Sequence, residues 1–165
     1  MADVPIFTID GVDYRSFLLD INQTGESSLL SLDEIQVLQS STPNQSVTTF
    51  SSGIVNLANR FLVYRLDNGG DNWIKLDNNL SAGSGKGDMS MFIPASFFTG
   101  SGQYVYLYSK FGVNIVNNDG FEEWSKGVGN DDNTGGENPI PEPGTMLLLG
   151  TGLAALVGTR RKLFA

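Results

Sequence analysis

The sequence predicts an all-β fold: an antiparallel β-sandwich, jelly-roll-like, followed by a flexible linker and a short C-terminal hydrophobic helix. Three observations carry this expectation. Helical periodicity is nearly absent before residue 127; short alternating, β-branched or aromatic runs recur; and clusters of Gly, Asn and Asp separate them. No stretch is long enough for a helical crossover, so strands at this spacing are expected to pair antiparallel in two sheets.

The expected strands, in order, are "VPIFTI" (4–9), "YRSFLLDI" (14–21), "EIQVLQS" (34–40), "SVTTF" (46–50), "FLVYRL" (61–66), "NWIKL" (72–76), "MSMFIP" (89–94) and "QYVYLYSKFG" (103–112). In the last of these Tyr104, Tyr106 and Tyr108 share one face, while Val105 and Leu107 share the other with Ser109. Both faces are apolar or amphipathic, which predicts a central strand packed on both sides. "SLLSLDEIQ" also carries a capping-box pattern, Ser31 with Glu34, that would open a short helix. The β-branched Ile35 and Val37 that follow favour a strand instead. The turns fall at "DNGGDN" (67–72), "SAGSGKGD" (81–88), "TGSG" (99–102) and "NNDGF" (117–121), where Gly, Asn and Asp supply positive φ angles.

The chain divides into a β-sandwich domain over 1–126, a Gly/Asn/Asp-rich linker over 127–140 and a C-terminal segment over 141–165. "GVGNDDNTGGENPIP" is polar and aperiodic, the composition of a flexible or extended linker. The 165 residues include 18 acidic against 10 basic side chains, a formal charge of −8. Arg160, Arg161 and Lys162 all follow the apolar run, so the preceding part is more acidic still, and such a surface repels phosphate backbones. Nucleic acid is therefore not an expected partner. With no cysteine and no histidine, thiol nucleophiles, histidine-based triads and the usual zinc sites are excluded. "MADVPIFTID" lacks the basic and apolar regions of a signal peptide and reads as a mature start from Ala2, so an export signal either removed or lost through a misassigned start is expected.

Residues Met146 to Val157 are almost wholly apolar, and the run extends from Gly144 to Thr159, shorter than the roughly 20 residues of a comfortable helical span. It has no polar face, unlike a core helix of that length. The basic cluster Arg160, Arg161, Lys162 stays cytoplasmic and so places the acidic domain outside. From physics alone, an ordinary single-span anchor competes evenly with a transient one.

The order "PEP" (Pro141, Glu142, Pro143), short apolar helix and "RRK" resembles the PEP-CTERM sorting signal, with all three parts in sequence within the last 25 residues. The resemblance implies a substrate of exosortase, a transpeptidase-like membrane enzyme of bacteria that make extracellular polysaccharide. Such substrates are exported, pass through the inner membrane, are processed near this motif and reach the cell surface or biofilm matrix. Pro141–Pro143 would then be a stiff, extended recognition segment. The domain is also similar to a group of proteins carrying this signal, through "FLLDINQ" (17–23), "LVYRLDNGGDNWIKLD" (62–77) and "NNDGFEEW" (117–124) among other stretches, and that likeness implies no established activity.

Candidate chemistry in the domain is sparse. "AGSGKG" (82–87) lacks the first glycine of a phosphate loop and has Gly87 where Ser or Thr would hold magnesium. The acidic turns offer Asp67, Asp71, Asp119 and Glu122, hard oxygen donors suited to calcium, beside the plainer account that they form turns and aid solubility. Neither turn follows the EF-hand pattern. A carboxylate-pair hydrolase is disfavoured because adjacent Glu122 and Glu123 would point to opposite faces of a strand. Trp73, Trp124 and the tyrosine face are candidates for a sugar-stacking platform, weighed against ordinary packing.

The expectation is thus a non-enzymatic surface or matrix protein needing no cofactor, sorted by exosortase through the membrane. Extracellular polysaccharide is a candidate partner. The alternatives are a secreted carbohydrate-binding or adhesive module, calcium-dependent in one form, and a permanently membrane-anchored surface domain.

Overall fold

The computed structural model describes residues 3–24, 27–47, 49–80, 87–118 and 120–127. Within them the chain forms β1 (Ile6–Ile9), β2 (Val12–Asp20), β3 (Leu29–Ser40), β4 (Phe50–Ser51), β5 (Ile54–Val55), β6 (Arg60–Arg65), β7 (Ile74–Asp77), β8 (Met89–Pro94), β9 (Tyr104–Phe111) and β10 (Glu123–Lys126). A 3₁₀ turn at Ala95–Phe97 is the one helical element among the described residues. The linker beyond Gly127 and the apolar helix expected over 144–159 lie outside the described residues.

Two long strands organise everything else. In the first sheet β2 pairs with β8 along Tyr14–Leu19, and its other edge is shared by β1 over Val12–Arg15 and β10 over Phe17–Asp20. Ser16 lies at the junction, its N–H donating to the Pro5 carbonyl and its own carbonyl accepting from the Gly127 N–H. In the second sheet β3 pairs with β9 along Leu32–Ser40, and its other edge is shared by β6 over Gln36–Ser40 and β7 over Leu29–Leu32. Every pairing is antiparallel. The chain crosses between the sheets from β2 to β3, from β7 to β8, from β8 to β9 and from β9 to β10, so the two fold together.

Local chemistry explains the tight turns. β1 and β2 are joined by Asp10-Gly11 at φ 50 and 78, and β4 and β5 by Ser52-Gly53 at φ 53 and 75. Positive φ at both central positions is the two-residue hairpin geometry whose twist matches that of the strands, and glycine takes it without a Cβ penalty.

One core unites the sheets. Phe17, Leu19 and Ile93 from the first sheet meet Leu30, Leu32, Ile35, Val37 and Leu76 from the second, and removing each such side chain from water contributes about 1.5–3 kcal/mol. Leu32 and Ile35 both face this core although three positions apart. The extra residue is accommodated by a register shift between Leu32 and Glu34 against β9, a bulge that turns Asp33 aside. The opposite face of β3 carries a second cluster, in which Leu38 meets Val55 and Leu57 of the segment that folds back over it.

Most expected strands are present, with four differences. β3 runs continuously from Leu29, so the helix alternative at Ser31 does not form: Ser31 is a buried strand residue whose hydroxyl bonds to Asp33 and to the 114–115 backbone. The run at 46–50 yields only the start of a short hairpin, Phe50–Ser51, and β10 was not anticipated. Finally, β9 is not central. Among the described residues it pairs with β3 alone and none of its residues is fully buried, so its tyrosines cover a half-exposed edge. The strand packed on both faces is β3, which sequence periodicity disguises because polar side chains fill its second face.

Candidate functional site

The described residues bring chemistry together on the outer face of the second sheet. Glu34 and Gln36 of β3, Tyr108 and Lys110 of β9 and Arg65 at the end of β6 form one wall and the floor of an open cleft of about 480 Å³. Phe50 and Gly53 of the β4–β5 hairpin, with Asp67 and Asp71 of the turn after β6, close its other sides. Cross-strand registry sets Glu34 opposite Lys110, and Gln36 opposite both Tyr108 and Arg65.

The electrostatics begin at Glu34. It is 6 % exposed, and its Oε2 accepts two hydrogen bonds from Arg65, from Nε and Nη2, both at 3.1 Å. A carboxylate at this depth needs such a partner, because an unpaired buried charge is severely unfavourable. Its other oxygen, Oε1, is buried without a hydrogen bond. Burial first, and the Glu34 charge second, push the phenols of Tyr64 and Tyr108 above the ordinary tyrosine value. Asp33 is fully engaged, accepting from the Val113 and Asn114 amides, the Asn114 side chain and the Ser31 hydroxyl. Burial raises its carboxyl pKa, but those bonds outweigh burial and hold it below 3.8.

The hairpin that roofs the cleft is fixed by Gln36. Its amide donates to the Gly53 carbonyl at 2.7 Å and accepts from the Val55 N–H at 2.9 Å. Gly53 lies against Arg65, where a Cβ would come within 3.2 Å of Nη2. Phe50, 49 % exposed, sets its ring edge-on to Tyr108 with centroids 5.2 Å apart.

Of the acidic residues singled out from sequence, Asp67 and Asp71 border this cleft, and Asp67 also accepts from the Asn72 N–H within its turn. Glu122 is held elsewhere, by the Asn22 N–H and the Asn117 amide near the ends of β2 and β10. Burial, and then the nearby charges of Asp20 and Asp88, raise its pKa above 4.5. Asp119 lies outside the described residues, among which no three acidic side chains are grouped closely enough to hold a metal ion.

Of the candidate stacking residues, Trp73 and Tyr104 are exposed, while others follow the plainer packing account. Trp124 packs into the inter-sheet core with its Nε1 donating to Ser109, and Tyr106 donates to the Thr42 carbonyl. Tyr108 alone of that set reaches the cleft. Sequence gives Phe50 and Arg65 no functional role and Glu34 only a capping one, since each looks like an ordinary local residue until β3, β6 and the hairpin are brought together.

Pro141, Glu142, Pro143, the apolar run Gly144 to Thr159 and Arg160, Arg161, Lys162 lie outside the described residues. Among the described residues no helix is long and apolar enough to cross a membrane. The observation bearing on that segment is a comparison of sequence. Residues 139–162 match the PEP-CTERM protein-sorting motif. The chain carries that sorting motif. No curated protein and no solved structure matches the chain. The PEP-CTERM motif indicates an exported protein that transits the membrane and is processed by exosortase.

Proposed function

We propose that this PEP-CTERM-bearing chain is a non-enzymatic protein of the bacterial cell surface or biofilm matrix. On this reading the β-domain is a small sandwich of the jelly-roll kind, and the C-terminal segment is an address removed on arrival. The observation that supports it is the motif match over 139–162, which begins 13 residues after the last strand ends at Lys126. That spacing places every described strand before the sorting segment, so processing at Pro141–Pro143 would leave the described sheets intact. Arg160, Arg161 and Lys162 would act as the cytoplasmic stop, and the run from Gly144 to Thr159 as the transient anchor. The absence of cysteine and histidine from the whole chain supports a binding or structural role over catalysis.

The test is the intact mass of the protein recovered from the surface or medium of an exosortase-bearing host, beside the same host lacking that enzyme. A mass ending near residues 139–144 in the first host, and an unprocessed mass in the second, is expected. An identical mass in both would make the segment a permanent anchor and the protein a membrane-tethered surface domain.

A further inference from the structure

Most polar groups buried in this domain are spent on the protein itself: Asp33, Gln36, Gln39 and Ser40 all bond to loop backbone. The cleft on the second sheet is lined by polar groups of another kind, all but one of them reached by solvent. Among the described residues Arg65 Nη1, the Lys110 ammonium, the Tyr108 hydroxyl and the Asp71 carboxylate have no protein hydrogen-bond partner, and the buried Glu34 Oε1 has none either. Arg65, Lys110, Tyr108 and Asp71 all line one open volume of about 480 Å³ beside the exposed ring of Phe50, with Glu34 Oε1 buried beneath it. Another cleft, over Gln23, Ser27 and Asn78, has neither a charged nor an aromatic wall among the described residues.

We propose that the cleft between β9, the end of β6 and the β4–β5 hairpin binds a neutral sugar unit of a polysaccharide. The chemistry selects that class. Four carboxylates, Asp33, Glu34, Asp67 and Asp71, face two cations, so phosphate, sulfate and uronate ligands are repelled. The unspent groups include acceptors and donors, which a string of hydroxyls satisfies by giving and taking hydrogen bonds at once. Phe50 offers an apolar ring beside them, the surface on which the C–H face of a pyranose packs. Glu34 acts as a positioning residue: it fixes the Arg65 guanidinium through Nε and Nη2, which leaves Nη1 for the ligand. The site deepens the surface-protein reading by naming what the domain would meet there, and purified protein tests it without any export step.

The experiment is binding of the full-length chain to cellohexaose, maltohexaose and chitohexaose, with alginate oligomers as the anionic control and hexylamine as the cationic one. The expected result is saturable binding to at least one neutral oligosaccharide and none to alginate. Phe50→Ala, Asp71→Asn and Lys110→Gln each lie at the surface and should weaken it about tenfold or more. Asp13→Asn, on the other sheet, should leave it unchanged. Retention of no neutral oligosaccharide, binding that the three cleft variants leave intact, or preferential binding of hexylamine or alginate would each overturn the assignment. Export and processing would be unaffected by any of these results, so failure here and failure of the sorting reading are separable.

Discussion

Replacing Gln36 by leucine tests the way β3 holds the structure above it. Gln36 is 1 % exposed, and its side chain is the tie between the sheet and the β4–β5 hairpin. Leucine matches its size closely, so little volume changes, and the effect should come from hydrogen bonding. Two bonds are lost, each with a net worth of about 1 kcal/mol. The Val55 N–H is left in a buried position without an acceptor, adding about 1–3 kcal/mol, whereas the Gly53 carbonyl sits in an exposed turn that water reaches. The new methyl groups recover part of this through contact with Leu38 and Val55. The sum is a loss of about 2–4 kcal/mol, and at roughly 4 °C per kcal/mol for a domain of this size Tm should fall by about 8–16 °C. The assay is thermal and urea unfolding followed by circular dichroism. Limited proteolysis, cutting within 45–58 before global unfolding, locates the damage. An unchanged Tm with an unchanged proteolysis pattern would refute the claim that this amide anchors the hairpin.

Leu38→Ala empties a fully buried position in the cluster under the same hairpin and should cost about 2–5 kcal/mol, read from the urea midpoint at constant slope. Asp88 gives a pH prediction: burial first, and then the neighbouring Asp20 charge, raise its pKa above 3.8, so the folded state binds its proton more tightly than the unfolded chain. Its contribution to stability is therefore full below 3.8 and is lost as pH rises through the folded value; Glu122 behaves alike above 4.5. Urea midpoints should rise as acidification carries the pH down through these folded values, and Asp88→Asn should raise the midpoint at neutral pH and shrink that gain. Asp33 works in the opposite sense, because its pKa is lowered: its stabilisation is present above 3.8 and disappears as pH falls through the folded value, so Asp33→Asn should lower the urea midpoint at neutral pH and shrink the loss seen on acidification through that value.

Sequence alone determined the class of fold, because period-2 alternation and positive-φ turn residues are local properties of the chain. "QYVYLYSKFG", "MSMFIP" and "FLVYRL" became β9, β8 and β6 nearly where alternation placed them. It also disclosed the sorting motif, since the "PEP", apolar and "RRK" parts form a linear signal that needs no fold to be read, and the match over 139–162 bears that motif out. What it did not disclose was which strand is central. Ser31, Asp33, Glu34, Gln36, Gln39 and Ser40 look solvent-facing in sequence, yet all are buried in β3, because distant segments supply their partners: Gly53 and Val55 for Gln36, Gly100 and Gly102 for Gln39, Val113 and Asn114 for Asp33. The cleft has the same origin. Its ion pair joins residues 31 positions apart and its aromatic pair joins the hairpin to β9, so each component is unremarked in one dimension. Burial of a polar group is favourable only when its partner is in place, and that partner is chosen by tertiary structure.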